Sequence, residues 1–504
     1  MFLLYNQTIA QKEDNIWVTG SGGILKCAFK PDTVITTLYI DSTPGWGIYH
    51  TGGNSNICDS AGNLLMSSDG MNIYDKTHHF MDGGRYLAPL YTYFKENRFN
   101  AYSQSSIILP VSDGNYYMFA ALASEARKKI WETTSSNDDI FFDLLWYHKI
   151  DMKANDGLGN VVESKIPIIE NGYLSKPEMM AVRHANGRDW WLLKGRYNSI
   201  AYHTFLVSAK GVEDYGVQWL PHIGQDFDWD INGQCVFSQD GSQFATVIGH
   251  RGTINLFDFD RCTGKLSNQR AINVPKLNGG DDPNDTTSYE YFSTISIAFS
   301  PNQKYIYVGS KFNILQYELN NSDSTTAWYH VANMDTTSDW FMGYSNMYLG
   351  PNGRLYIGNW DGIGNTMSVI NNPNEKGVKC AWCPKCLRFS DYRATTPPCM
   401  PNYRLGALKG SECDSLSPKP PIVPTFLVYP NPTTSKIIIE YVLTENQQCT
   451  LQLIDLSGRI VKEVSVSNKS NKVEVSVSEL ATGIYTLKQL INKKQVRVNK
   501  LVVE

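Results

Sequence analysis

The sequence predicts an all-β protein: a seven-bladed β-propeller, with six or eight blades also compatible, followed by a small Ig-like β-sandwich. Three observations predict it. The 504-residue chain is rich in strand and turn formers, with 29 Tyr, 12 Trp and 39 Gly. Paired apolar runs around a tight turn recur at intervals near fifty residues, 50 for example from Asn302 to Asn352. A proline-rich spacer then separates this array from a closing stretch of short alternating strands.

Six hairpins carry the repeat. They begin at Ser55 (SNICDSAGNLLMSSDG), Ser106 (SIILPVSDGNYYMFAA), Met179 (MMAVRHANGRDWWLLKG), Cys235 (CVFSQDGSQFATVI), Ser296 (SIAFSPNQKYIYVGS) and Asn346 (NMYLGPNGRLYIGN). Gly62, Gly114, Gly187, Gly241 and Gly353 hold five of the turns, and Gln303 takes that place in the sixth. A tight turn needs positive φ, which glycine reaches at little cost. Third strands follow in Thr253–Asp260, Asn313–Leu319 and Met367–Asn372. A seventh unit is expected from the first strands, Gly23–Lys30, joined to residues near the end of the large domain, which removes the free sheet edges. An array of unrelated hairpins in a sandwich is the alternative. No segment holds a 3.6-residue apolar period long enough for a helical domain.

The expected boundaries are 1–10 for the remnant of a signal peptide, 11–414 for the propeller, 415–425 for the linker and 426–504 for the sandwich. Met1–Tyr5 is apolar and Thr8-Ile9-Ala10 suits the residues before a cleavage point. The formal net charge is −4 and no basic stripe is present, which argues against a nucleic-acid partner. No apolar run reaches the roughly 18 residues of a membrane span.

In an exported protein, ten cysteines favour disulfides. The expected pairs are Cys399 with Cys413 and Cys235 with Cys262. Cys380, Cys383 and Cys386, spaced C-x2-C-x2-C, leave open a zinc site completed by Cys399.

The closing 79 residues carry ten basic and seven acidic side chains, a charge of +3 that leaves −7 for the rest. Val428–Thr434 (VYPNPTT), Leu453–Val461 (LIDLSGRIV), Leu480–Leu490 (LATGIYTLKQL) and Asn499–Val503 (NKLVV) resemble, in order, the motifs of the type A C-terminal sorting domain of the type IX secretion system of Bacteroidetes. The resemblance implies that this module is an address read by the secretion machinery and removed by a sortase. It implies passage through the periplasm and outer membrane to the cell surface or medium. By motif match, Gly483, Tyr485 and Lys500 fall in the terminal recognition region, and Pro430, Asn431, Pro432, Asp455, Gly458 and Arg459 at the sandwich turns. Leu64–Gly84, Ala181–Leu193, Phe259–Asn268 and Met400–Gly406 resemble secreted Bacteroidetes propellers with this tail, which implies export and fold but no active site.

Chemistry is sparse. His184, Arg188 and Asp189 could form a base with its orienter, but flank a turn without a nucleophile. His78 and His79 are adjacent, so on a strand they point to opposite faces. Asp226, Asp228 and Asp230 alternate as calcium ligands could, yet Ile231 and Phe237 stand where an EF-hand needs Gly and Glu. Asp281, Asp282 and Asp285 form an acidic loop. No catalytic or cofactor-binding residue is assigned; calcium, besides the zinc set above, is left open. Trp190, Trp191, Trp340 and Trp360 are candidates for sugar stacking, against a packing role. The function expected is a non-enzymatic binding surface for an extracellular protein or glycan. The alternative is a hydrolase or lyase for polysaccharide or peptide with carboxylates at the channel mouth.

Overall fold

The repeated turns fold as their sequences require. Gly62, Gly114, Gly187, Gly241 and Gly353 have φ between +71° and +92°, and Gln303 adopts +57° in the same place. Side chains close these turns: Asp240 Oδ1 accepts from Ser242 N at 2.9 Å and from Ser238 Oγ at 2.7 Å. Ser300 and Asn302 repeat that arrangement one unit later.

The computed structural model describes residues 12–21, 24–30, 33–39, 49–50, 52–96, 99–133, 141–221, 233–248, 252–275, 294–310, 313–321, 323, 326–333, 344–359, 365–389, 396–414, 426–441, 448–466, 472–492 and 494–504. The chain divides into two units, Met1–Ser417 and Pro418–Glu504, each described by itself.

The first unit is a propeller of seven antiparallel sheets among the described residues. Blade 1 holds Ile16–Ser21, Ile24–Phe29 and Val34–Tyr39, with Tyr49–His50 alongside the first. Blades 2 to 7 begin with inner strands Ser55–Cys58, Ser106–Ser112, Leu174–Arg183, Cys235–Phe237, Thr294–Phe299 and Tyr344–Leu349. Inner strands of successive blades pack together. The ring closes where Trp17 and Phe29 of blade 1 meet Tyr356 of blade 7, edge to face, at 5.4 and 5.3 Å.

This closure differs from expectation. Ile24–Phe29 pairs with Ile16–Ser21 and Val34–Tyr39, both N-terminal, and among the described residues takes no strand from the end of the domain. The inner strand of blade 1 also runs against that of blade 2: Cys58 N donates to Glu13 O, while Asn54 Nδ2 donates to Val18 O. A self-contained meander fills the gap, so among the described residues ring closure rests on side-chain packing rather than on a shared sheet.

Two buried glutamines tie inner strands of alternate blades. Gln104 Nε2 donates to Cys235 O at 2.7 Å and its Oε1 accepts from Cys235 N at 2.9 Å. Gln234 does the same for Met347, at 2.8 and 3.2 Å. Each amide thus bonds both the N–H and the carbonyl of one inner-strand residue two blades away.

The second unit is a sandwich. One sheet has Leu427–Tyr429, Lys436–Glu440 and Lys472–Ser476, with Lys436–Glu440 central. The other runs Ile460–Val466, Cys449–Ile454, Gly483–Ile491, Lys494–Val503 in spatial order. Ile437, Ile439, Leu451, Leu453, Leu487 and Leu501 fill the space between them.

Candidate functional site

The hub of the propeller is occupied by its own chain. After blade 7, residues 396–404 run through the middle of the ring. At the end where the inner strands begin, Thr19 Oγ1 donates to Thr396 O at 2.8 Å, and Cys399 N donates to Asn54 O at 2.8 Å. Further in, Tyr403 is fully buried against Trp190, and its hydroxyl donates to Ile108 O at 2.6 Å. At the far end, Asn402 Nδ2 donates to Gln239 O at 2.9 Å, and Arg404 pairs with Asp14 at 2.8 Å. Contacts thus come from blades 1, 2, 3, 4 and 5 in turn.

Two buried guanidiniums hold the emerging segment by its backbone. Arg183 Nη2 donates to Tyr403 O at 3.3 Å while its plane covers the Trp190 ring. Arg261 donates to Arg183 O, His184 O, Asp240 O and Gly406 O. Burial lowers the pKa of both, that of Arg183 to about 10. Gly187, at φ +71°, lies so close that a Cβ there would meet Ala407 N at 2.7 Å. The segment then crosses to blade 5, where Cys413 is bridged to Cys262 with Cα atoms 5.6 Å apart.

That bridge corrects both expected pairings. Cys399 is drawn into the hub, where its thiol faces Met179 O and burial raises its pKa to about 12. Cys235 lies on the inner strand of blade 5, beside Gln104. Cys262 follows the third strand of the same blade, two strand spacings of roughly 4.8 Å away, beyond the reach of a disulfide. Cys235 and Cys399 are both free. The four-cysteine zinc set does not assemble either: Cys383 is bridged to Cys386, while Cys380 bonds Tyr307.

The other candidates divide. His184 Nε2 donates to Cys262 O at 3.1 Å and its Nδ1 accepts from Asn186 N at 3.0 Å, so both ring nitrogens serve the turn. Asp189 accepts from Asn186 and Arg188. Trp190 and Trp191 are core residues whose indoles donate to Pro110 O and Arg261 O. His78 is buried at φ +70°, and the hydroxyl of Thr77 lies 3.0 Å from His79 Nδ1. Asp226, Asp228, Asp230, Asp281, Asp282, Asp285, Trp340 and Trp360 lie outside the described residues, as do residues 1–10 and the linker. Among the described residues no three His, Cys, Asp or Glu side chains are placed to hold a metal.

Beside the emerging segment is a depression of about 220 Å³. Val236, Phe299, Met347, Leu349 and Met400 give it apolar walls, and Asp14, Gln239, Asn402 and Arg404 a polar margin. The ionisable margin is one carboxylate and one guanidinium already paired. Sequence reading missed this site because it is built from short pieces of several blades. It also missed Trp219, 67 % exposed on the outer strand of blade 4 beneath Arg196.

In the sandwich, residues named from three distant motifs meet at one end. Asp455 Oδ1 accepts from Ser457 N and Arg459 N, with Gly458 at φ +86° between them. Gly483 stands opposite Val503, and Tyr485 opposite Leu501 with its hydroxyl on Ala481 O. Asn431, between Pro430 and Pro432, ties the module's start to its last strand: Nδ2 donates to Lys500 O at 2.7 Å and Oδ1 accepts from Val502 N at 2.9 Å. The Lys500–Val502 end of that edge is thereby covered.

Residues 427–504 match the model of a family described as the Secretion system C-terminal sorting domain. No curated protein matches the chain. Among solved structures it is similar to an extracellular domain from B. thetaiotaomicron, at 11 % identity and a TM-score of 0.39, covering 98 % of this chain but only 56 % of that one. It is also similar to a "putative 6-phosphogluconolactonase" from Bacteroides fragilis, at 13 % identity and 0.41, covering 77 % and 97 %. A protein of unknown function from Desulfotomaculum acetoxidans gives 12 % and 0.41, covering 77 % and 99 %. Among the described residues no helix is long and apolar enough to cross a membrane.

Proposed function

We propose that this chain, delivered to the surface or medium by the secretion system C-terminal sorting domain of residues 427–504, is a non-enzymatic propeller that presents a binding surface. One observation carries the reading: the hub is filled by residues 396–404, and the guanidinium groups around it are spent on the chain itself. Arg183 and Arg261 hold backbone carbonyls, and Arg404 holds Asp14. A glycosidase-like site needs two carboxyl groups facing a substrate, one of them able to deliver a proton. The depression offers instead apolar walls on a rigid frame. Its volume lies below the roughly 300–1,000 Å³ of whole small-molecule sites and suits an anchoring side chain of a larger protein partner.

The test is an array of polysaccharides and extracellular proteins probed with the purified chain, scored for retention and for turnover. Retention without product, weakened by Leu349→Lys in the depression wall, is expected. Product release from any arrayed substrate overturns the reading in favour of the hydrolase or lyase.

A further inference from the structure

We propose that the end of the sorting module where its motifs converge is the surface the export machinery contacts, and that three exposed aliphatic side chains, Leu456, Ile460 and Ile484, carry the contact. The inference rests on the reading of this module as an address and names the surface by which it is read.

The strand register puts these residues together. Ile460 stands opposite Ile454, Ile454 opposite Thr486, and Thr486 opposite Lys500. Directly opposed residues in antiparallel strands share a face. Tyr485, Leu487 and Leu501 point into the core, so this row lies on the outer face. The next row towards the sheet end is Ile484 opposite Val502. Beyond it projects the turn that carries Leu456. Leu456 is 85 % exposed, Ile460 49 % and Ile484 41 %. The neighbouring row on the same face, Glu463, Gln452, Lys488 and Val498, is mostly polar. Apolar surface is concentrated where the motif residues are.

The turn is also held in place. Asp455 accepts from Ser457 N, Ser457 Oγ and Arg459 N, all within 3.0 Å, so Leu456 is presented on a fixed backbone. A preorganised apolar tip loses little freedom on docking. Asp455, the carboxylate of this turn, is paired with Arg459 at 3.2 Å, while Lys500 stays exposed. The complementary partner is therefore an apolar groove bordered by carboxylates, on a component of the secretion apparatus.

The experiment uses the full chain in a cell that exports it. Leu456→Ser/Ile460→Thr/Ile484→Thr is compared with Leu490→Thr/Val498→Thr, which changes the same face outside the patch. Export is read by immunoblot of medium, surface and cell fractions, and folding by thermal unfolding of the purified chains. The triple variant is expected to be exported at least tenfold less than the parent, with the paired control exported normally. Parental export of the triple, or equal loss in the control, overturns the proposal. Should the triple unfold at lower temperature, Lys500→Glu decides: a several-fold loss of export supports the surface, and normal export overturns it. Deletion of 426–504 tests the address reading separately, since export of the deleted chain would remove that premise whatever the patch does.

Discussion

Tyr403→Ala tests whether the segment in the hub is part of the propeller's core. Tyr403 is fully buried, packs edge to face on Trp190 at 5.8 Å and donates to Ile108 O at 2.6 Å. Removing a buried aromatic ring costs about 3–5 kcal/mol through lost transfer energy and the cavity left behind. The unpaired Ile108 carbonyl adds about 1 kcal/mol. Unfolding entropy near 2.1 cal/mol/K per residue over roughly 400 residues gives about 0.84 kcal/mol/K, so a loss of about 4–6 kcal/mol lowers the propeller's Tm by about 5–7 °C. Tyr403→Phe keeps the ring and loses only the bond, so its drop should be about 1–2 °C. Differential scanning calorimetry of the full chain reads both. If Tyr403→Ala melts with the parent, or the Phe variant falls as far as the Ala variant, the hub segment does not support the ring as described.

Three further outcomes follow from the same structure. Cys262→Ser/Cys413→Ser, or reduction of the parent, should cost about 2–4 kcal/mol and speed amide exchange in 404–414; unchanged exchange there would contradict the bridge as an anchor. Gln303→Gly relieves the φ +57° strain by about 1 kcal/mol but removes the side-chain bond to Asp240, worth about 1.5 kcal/mol or more, so the urea midpoint should not rise, and a raised midpoint would refute that. Acid should destabilise the propeller. Burial lowers His50 and His148 to a pKa of about 3, below the unfolded value near 6.5, so the unfolded chain binds protons first as pH falls. Each loses about 2–3 kcal/mol between pH 7 and 4.5. Asp69, raised by burial to about 6, protonates first in the folded state and returns about 2 kcal/mol. The urea midpoint should fall across this range, and a rise would contradict the burial of the two histidines.

The blade repeat was legible because each hairpin writes its turn locally. Five glycines and Gln303 sit at the positive-φ position that the sequence marks. Blade 1 was harder: Ile24–Phe29 reads as a strand, but nothing in it says which neighbour it takes. The hub segment was hidden for a similar reason. Pro397, Pro398 and Pro401 break any strand alternation, and Tyr403 becomes a core residue only inside a closed ring. Spacing favoured Cys399 for a bridge to Cys413, yet one runs inside the ring and the other outside it. In the sandwich, motif match put Gly483, Tyr485 and Lys500 in one terminal region and Asp455 separately at a turn. Their meeting at one end, beside an exposed Leu456, needed the strand register.

The most direct measurement is fractionation of cells producing the chain with and without residues 426–504. The intact chain should reach the surface or medium, and the shortened one should stay inside the cell as a folded propeller with Cys262 and Cys413 joined. A shortened chain found outside at the parental level would contradict the account.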